Sequence, residues 1–262
     1  MDFCFQNENC EVRLARSKDE ITMAQKLRYH VFYELMSAVP SDECKAEKRD
    51  FDHFDDLCDH LLVIDTSDPD NHRVVGNYRL LSAESSKDPE YFYSHQEYDI
   101  TPLIMRARED GMSVMELGRS CVHPDFRSNA IIQMLWRGIV TYAMARNVGL
   151  MFGCASFSGT DLETMRDHLA YLHQYRLAPP EWRARARDHL FVDMQNDALI
   201  EGKTEREMMA VMPPLIKGYL RIGAWIGDGA VVDEEFSTTD VLITLPVSQI
   251  GKRYLDFFGR SS

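Results

Sequence analysis

The sequence has 262 residues, of which 45% are hydrophobic and 10% aromatic, so it can bury a sizeable core. Its net charge of −13 argues against nonspecific nucleic-acid binding, which needs a basic surface. No run of 18 apolar residues is present, so no membrane span is predicted, and the first residues lack the basic and apolar regions of a signal peptide.

The six cysteines are scattered and form no CxxC pair, which predicts neither a zinc ribbon nor a dithiol redox motif. Free thiols in a reducing cytoplasm are the expected state, and no metal is expected. We therefore expect a cytoplasmic protein, with peripheral attachment to a membrane left open.

The N-terminal third predicts a strand, a helix and a hairpin. Alternation predicts a strand over 11–16, and Ser17 followed by Glu20 is typical of a helix start. The stretch 37–56 is acidic and is expected to be irregular. HLLVID and VVGNYRLLS, separated by a polar turn, predict an antiparallel hairpin.

The most informative stretch is VMELGRSCVHPDFRSNAIIQMLWRGIVTYAMARNVGL. It predicts a strand, a turn at Pro124 and Asp125, and a long amphipathic helix. A strand that leads into a helix N-terminus presents unpaired backbone N–H groups, which favour negatively charged groups. Glu116 and Arg119 are charged residues in an otherwise apolar strand, so chemistry is expected there.

The C-terminal part predicts a buried strand (LMFGCAS), a helix over 159–175, a basic stretch (PPEWRARARDH) and a helix opened by Pro213 and Pro214. A last strand over 239–246 and a short amphipathic tail follow. The resulting order, β-α-β-β-(α)-β-α-β-α-(insert)-β-β, predicts a mixed sheet covered by helices in one domain.

Three segments carry a resemblance to a known family: LRYHVFYELM with KRDFDHFDDLCDHLLVID, VVGNYRLL with ELGRSCVHPDFR, and PPLIKGYLRIGAWIGDGAVVDEEFSTTDVLI. The chain resembles the GNAT-type N-acyltransferases, in particular the branch that takes its acyl group from acyl carrier protein. That branch contains the acyl-homoserine-lactone synthases and the L-ornithine Nα-acyltransferases. The third segment is similar to the ornithine enzymes and to the hemolysin-like proteins grouped with them.

The resemblance implies an α+β fold, an α/β/α sandwich with a mixed central sheet flanked by helices. It implies a single domain over residues 1–262 with a family-specific extension from about residue 178. The implied reaction moves a (3R)-3-hydroxyacyl chain from acyl carrier protein to the α-amino group of L-ornithine, giving lyso-ornithine lipid. The alternatives are a synthase with another amine acceptor, such as glycine or a homoserine derivative, and a non-catalytic lipid- or membrane-binding protein.

The turn before the long helix departs from the general GNAT pattern. Coenzyme A users carry a glycine-rich loop there whose N–H groups approach a pyrophosphate closely, whereas this chain has FRSNAIIQM without glycine. This favours a phosphopantetheine arm with one phosphate. We therefore expect no permanently bound cofactor, and 3-hydroxyacyl-phosphopantetheine on acyl carrier protein as the donor.

The expected catalytic residues lie on the central strand. By resemblance Glu116 faces the acceptor amine and accepts its proton, with an ion pair to Arg119 as the alternative. Arg119 is expected to organise Glu116 and the acidic segment, with a plain salt bridge as its alternative. Members of the family have a bulge in this strand. The resemblance therefore implies that the backbone near Cys121 and Val122 stabilises the oxyanion. Without a His/Asp partner pattern, Cys121 is not expected to act as a nucleophile.

The expected substrate-binding residues match the N-terminal family segment and the following strand. Paired carboxylates would bind the distal ammonium of a diamino acid, with Asp52 as the first candidate, although an acidic loop is also typical of a solvated surface. The guanidinium of Arg79 would hold the acceptor carboxylate; the alternative is that it pairs with the acidic loop. The residues are Arg28, Phe32, Asp50, Asp52, Asp55 and, for the carboxylate, Arg79.

Basic residues are the candidates for docking acyl carrier protein, which is small and acidic. They are Arg127 and the cluster Arg183, Arg185 and Arg187. The same cluster could face an anionic membrane surface.

Overall fold

A computed structural model of the chain describes residues 3–7, 9–84, 87–196 and 201–251. Over these ranges the strands are β1 (Cys4–Gln6), β2 (Cys10–Leu14), β3 (Asp59–Asp65), β4 (Arg73–Glu84), β5 (Tyr98–Asp99), β6 (Ser113–Val122), β7 (Val148–Ser158), β8 (Arg185–Ala186), β9 (Trp225–Ile226), β10 (Val231–Asp233) and β11 (Thr238–Pro246). The α-helices are α1 (Lys18–Tyr29), α2 (Asp42–Glu47), α3 (Thr101–Glu109), α4 (Asn129–Ala145), α5 (Arg166–Arg176), α6 (Glu205–Val211) and α7 (Pro214–Arg221). The tail predicted after Pro246 begins with a 3₁₀ turn over Val247–Gln249, and its part over 252–262 lies outside the described residues.

The described residues divide into two compact units. The first contains the chain up to Ser82 and Leu117–Val148, and the second contains Ala83–Glu116 and Gly149–Gly251. Strand β6 therefore begins in the second unit and ends in the first. The expected single domain with an extension from about residue 178 stays a prediction.

The sheet of the first unit is built from β1, β2, β3 and β4, each antiparallel to the next, with β6 beside β4. The predicted hairpin is confirmed as β3 and β4, whose register places Leu62 opposite Asn77 and His60 opposite Arg79. Both strands are almost wholly buried, which explains their apolar sequences.

Local capping signals explain the helices around this sheet. The predicted N-cap is confirmed, because the Ser17 side chain accepts the N–H of Glu20 at the start of α1. The prediction that 37–56 is irregular was partly wrong. That stretch contains α2, capped by Ser41, and a 3₁₀ turn over His53–Asp56, capped by Asp52.

Helix α4 packs closely on the first unit's sheet. Ser128 accepts the N–H of Ile131 and starts the helix where the sequence predicted it. A Cβ at Gly138 would lie 2.9 Å from Leu61 Cδ1 and 3.3 Å from Val12 Cγ1. Glycine is therefore needed because the helix backbone approaches the strands at this point.

The second unit is organised around β7 and β11, which pair antiparallel with Cys154 opposite Leu242. Strands β9 and β10 also pair with β11, and β5 pairs with β8. The helix predicted over 159–175 starts later than expected: a 3₁₀ turn capped by Asp161 precedes α5. The predicted start of α7 at Pro214 is confirmed.

Candidate active site

Six of the predicted substrate-binding and catalytic side chains meet in a cluster of the first unit. We call this group the ionic cluster; it comprises Arg28, Asp50, Asp52, Asp55, Arg79 and Arg119. They come from α1, from the segment between α2 and β3, and from β4 and β6. Three guanidinium groups face three carboxylates, so the cluster balances its own charge.

Arg28 is the fully buried centre of the ionic cluster. Its Nε lies 2.6 Å from Asp50 Oδ2, and its Nη2 lies 2.8 Å from Asp55 Oδ1. A buried charge needs such partners, because its transfer from water is otherwise very costly. The arrangement joins α1 to the acidic segment and makes Arg28, Asp50 and Asp55 structural to the cluster.

Asp52 is the accessible carboxylate, with 25% of its side chain exposed. It accepts the N–H of Phe54 and so caps the 3₁₀ turn. Arg79 Nη1 lies 2.6 Å from its Oδ1, and Arg119 Nη2 lies 3.3 Å from its Oδ2. Arg79 therefore pairs with the acidic segment, as one of its two expected roles predicts. Its other expected role, binding the acceptor carboxylate, stays a prediction.

The arginines set the ionisation of these carboxylates. Burial disfavours the charged form of Asp50, but Arg28 and Arg119 outweigh it and hold the pKa of Asp50 below its ordinary value. Burial likewise opposes ionisation of Asp52, whose pKa is nevertheless lowered by Arg79 and Arg119. Both carboxylates are therefore ionised at neutral pH.

Tyr33 belongs to the same arrangement, although the sequence did not single it out. Its hydroxyl donates a 2.9 Å hydrogen bond to Asp50 Oδ1. It lies in a π-helical segment, His30–Leu35, that continues α1, and such segments are frequent at functional sites. Phe32 of the same segment instead packs against an apolar cluster that includes Leu27 and Cys121.

Strand β6 has an unusual backbone conformation at Arg119, and the bulge expected in this strand stays a prediction. Arg119 has φ +48°, the left-handed region, which is unusual for a residue other than glycine. Its carbonyl oxygen accepts a 3.0 Å hydrogen bond from Asn77 Nδ2. The oxyanion role of the backbone near Cys121 and Val122 stays a prediction.

The Cys121 thiol is unsuited to nucleophilic attack. Its side chain is buried, and this burial raises the pKa of the thiol to about 12. Since the thiolate is the reactive form, a thiol of this kind is inert at neutral pH. This agrees with the expectation that Cys121 does not act as a nucleophile.

Glu116 lies in the second unit and is 4% exposed. Its Oε2 accepts the backbone N–H of Tyr93 at 2.9 Å, and its Oε1 accepts that of Ser94 at 2.6 Å. These donors open the 3₁₀ turn Tyr93–Gln96. Hydrogen bonds of this kind favour the charged form of a carboxylate and fix its orientation.

A second polar group of this unit surrounds Cys154. Its thiol donates to Glu97 Oε2 at 3.3 Å, and the ligand atoms of Glu97, Cys154 and Asp240 lie within 4.8 Å of one another. Burial, Glu97 and Asp240 raise the pKa of this thiol well above its ordinary value. Without a bound cation the thiol is therefore protonated at neutral pH, which agrees with its donating to Glu97.

The predicted docking arginines are distributed over both units. In the second unit, Arg183 and Arg187 each donate from Nε to a backbone carbonyl at 2.7 Å, and Arg185 pairs with Asp188 at 2.6 Å. Arg185 is exposed, as is Arg127 in the first unit. Among the described residues, no helix combines the length and the apolar content needed to cross a bilayer.

Comparison with known proteins identifies relatives over almost the whole chain. A family model described as an acetyltransferase (GNAT) domain matches residues 27–137. The chain is 46% identical over 251 residues to an L-ornithine N(alpha)-acyltransferase of Agrobacterium fabrum, covering 95% of this chain and 85% of the relative. It is 40% identical to the protein of that name from Rhodobacter capsulatus, covering 95% of each chain.

Solved structures are more distant. An N-acyl amino acid synthase from uncultured soil microbes is 9% identical and superposes with a TM-score of 0.49 over 91% of each chain. The acyl-homoserine-lactone synthase LasI is 12% identical, with a TM-score of 0.47 over 97% of this chain and 96% of that one. The fold is the GNAT fold, with a mixed sheet flanked by helices.

Proposed function

Because this chain belongs to the L-ornithine Nα-acyltransferases of the GNAT superfamily, we propose that it acylates the α-amino group of L-ornithine. The donor is a (3R)-3-hydroxyacyl thioester of acyl carrier protein, and the product is lyso-ornithine lipid. The observation that carries the proposal is the 46% identity over 95% of the chain to a relative of that name. The reaction is the first step of ornithine-lipid synthesis.

The chemistry is a direct transfer from thioester to amine. The neutral α-amine attacks the thioester carbonyl, the C–N bond forms, the C–S bond breaks, and the phosphopantetheine thiol leaves with a proton. The α-ammonium has a reference pKa of about 7.7–8.0, so a proton acceptor helps to supply the neutral amine. Direct transfer also agrees with the inert thiol of Cys121.

Glu116 is the proton acceptor in this proposal. Its support is that two backbone N–H groups hold the carboxylate in one orientation. Each carboxylate oxygen has two lone pairs, so accepting one amide hydrogen bond leaves it able to accept another.

In the ionic cluster, Asp52 is the residue that we assign to the distal ammonium. It is the partly exposed carboxylate of the group, whereas Asp50 and Asp55 are buried against Arg28. The arginines keep Asp52 ionised and fix its position, so it can attract a cation without rearrangement.

The carrier-protein donor is supported by the turn before α4. FRSNAIIQM has no glycine, and the Ser128 side chain caps the N–H of Ile131 at 3.3 Å. A coenzyme A pyrophosphate would need close backbone approach at this place. A carrier protein would instead bind through its own surface, for which exposed Arg127 and Arg185 are candidates.

Contact with the cytoplasmic face of the membrane is part of the proposal, because the product is a lipid. Exposed basic side chains such as Arg185 attract anionic headgroups. Sedimentation with vesicles of phosphatidylglycerol and of phosphatidylcholine would test it. Equal recovery of the protein from both would contradict the electrostatic attachment.

The test of the function is an acylation assay. Purified protein is incubated with 3-hydroxyacyl carrier protein or 3-hydroxyacyl-coenzyme A and a panel containing L-ornithine, L-lysine, glycine and homoserine lactone, and products are identified by mass spectrometry. We expect acyl-ornithine from the carrier-bound donor. Preference for another amine would overturn the acceptor, and preference for coenzyme A would overturn the donor.

An absence of any acylation would instead favour a lipid-binding protein.

Two variants control the assay. Glu116→Gln is expected to abolish most turnover, and Glu109→Gln makes the same change on the exposed end of α3. Glu109 has 66% of its side chain exposed, so its substitution is expected to leave turnover unchanged.

A further inference from the structure

Asn77 is a fully buried polar side chain in the middle of β4. It lies opposite Leu62 of β3, in a stretch whose other side chains are mostly apolar. A buried amide is costly unless it is hydrogen-bonded. Its Nδ2 donates a 3.0 Å hydrogen bond to the carbonyl oxygen of Arg119 on β6.

The acceptor of this bond is the backbone of a residue in an unusual conformation. Arg119 has φ +48° within a strand, where residues other than glycine adopt negative φ. Gly118 precedes it, yet the left-handed residue is the arginine. A peptide carbonyl inside a protein needs a hydrogen-bond partner, and the Asn77 side chain is one for Arg119.

Two sets of contacts hold the backbone conformation of Arg119. The guanidinium of Arg119 lies 3.3 Å from Asp52 and 3.5 Å from Asp50, which anchors the side chain. The amide of Asn77 anchors the carbonyl. Because the peptide is planar and trans, a fixed carbonyl of Arg119 also fixes the N–H of Ser120 in the opposite direction.

We propose that Asn77 is a positioning residue for the acyl transfer. By holding the Arg119 carbonyl it orients the peptide groups from Ser120 to Val122, which are the groups expected to stabilise the oxyanion of the thioester carbonyl. This inference rests on the proposed function. Asn77 does not touch the substrate; it acts through the backbone of β6.

The decisive variant is Asn77→Leu, which has the same number of side-chain heavy atoms and no hydrogen-bond donor. A misplaced catalytic group costs about 100-fold in rate, so we expect kcat for ornithine acylation to fall by about 100-fold. We expect KM for ornithine and for the donor to change little, because an oxyanion donor acts on charge that develops only in the transition state. Asn77→Ser retains a donor on a shorter side chain and is expected to recover part of kcat.

Thr244→Val is the matched control. Thr244 is fully buried on β11 of the second unit, and within the described residues its hydroxyl has no hydrogen-bond partner. The substitution removes a buried hydroxyl without breaking a hydrogen bond, so turnover should stay as in the wild type and the unfolding temperature should not fall. Circular dichroism and thermal unfolding establish that each Asn77 variant is folded before its kinetics are interpreted.

The outcomes separate the inference from the function on which it rests. An inactive wild-type protein would remove the proposed function. With an active wild type, a folded Asn77→Leu that keeps its kcat would overturn the inference, as would a rise in KM alone, which indicates substrate contact. A crystal structure of the variant should show a changed φ at Arg119; an unchanged φ with an unchanged kcat would overturn the inference as well.

Discussion

The backbone N–H of Ser94 donates a 2.6 Å hydrogen bond to Oε1 of Glu116, 22 residues further along the chain. The same carboxylate accepts the N–H of Tyr93, so it anchors the turn that these residues open. Glu116 therefore has a structural contact in addition to its proposed role as proton acceptor. Substitutions can separate these two roles, because loss of the structural contact lowers stability and loss of the proton acceptor lowers the rate.

Replacing Glu116 with glutamine is expected to lower kcat by about 100-fold or more, within the range of general base catalysis. The glutamine carbonyl still accepts one N–H, whereas its amide opposes the other donor, so the unfolding temperature should fall as well. Steady-state kinetics as a function of pH measure the first effect. A lower unfolding temperature with kcat and its pH profile unchanged would show that Glu116 is an anchor and not a base.

Replacing Arg28 with methionine leaves Asp50 and Asp55 as buried carboxylates without their central partner. Breaking a buried ion pair costs about 3–5 kcal/mol, and we expect a loss of this size in the free energy of unfolding. Urea denaturation measures it. Arg166→Met is the control, since the exposed pair of Arg166 with Glu163 contributes less than about 1 kcal/mol; equal losses would contradict the central role of Arg28.

The ionic cluster also predicts how stability depends on pH. Folding lowers the pKa of Asp50 and Asp52, so their contribution is complete above the unfolded value of about 3.9 and is lost as pH falls through the folded values. The denaturation midpoint should therefore fall steeply below about pH 4. Asp52→Asn should flatten this dependence, and a variant with the wild-type slope would exclude Asp52 as a contributor.

Gly138 tests how closely α4 approaches the sheet. A Cβ there would lie 2.9 Å from Leu61, so Gly138→Ala is expected to destabilise the protein by about 1–3 kcal/mol through overpacking. Gly218 in α7 has no heavy atom within 4 Å of such a Cβ, and Gly218→Ala should stabilise by about 0.5–1 kcal/mol. The two changes in unfolding free energy should have opposite signs.

Arg127 tests the docking of the carrier protein. Reversing its charge, as Arg127→Glu, should raise KM for the acyl carrier protein donor severalfold and reduce the salt dependence of kcat/KM, because exposed charges act mainly on association. The same variant is assayed with an acyl-pantetheine thioester as control: because Arg127 Nε also donates to the carbonyl oxygen of Val122 at 3.1 Å, only the additional loss with the carrier-protein donor measures docking. An equal loss with both donors would place Arg127 in folding or chemistry.

Short-range patterns in the sequence predicted much of the fold. Ser17, the hairpin of β3 and β4, and the strand, turn and helix from β6 to α4 follow from capping and periodicity, which act between neighbouring residues. The family resemblance gave the L-ornithine Nα-acyltransferases, and homology confirms membership of that family, whereas the carrier-protein donor stays a proposal. The start of α5 and the structure within 37–56 were less predictable, because 3₁₀ turns and short helices depend on single capping residues.

The tertiary structure decided which partner each charged side chain has. Arg28 pairs with Asp50, 22 residues away in the sequence, and Arg119 pairs with Asp52, 67 residues away. No local sequence pattern predicts contacts at such separations. For this reason the sequence could name all six residues of the ionic cluster but could not show that its arginines and carboxylates neutralise one another. The sequence analysis missed Tyr33 and Asn77 for the same reason. The role of a tyrosine in a helix or an asparagine in a strand depends on the group that it contacts in the folded protein.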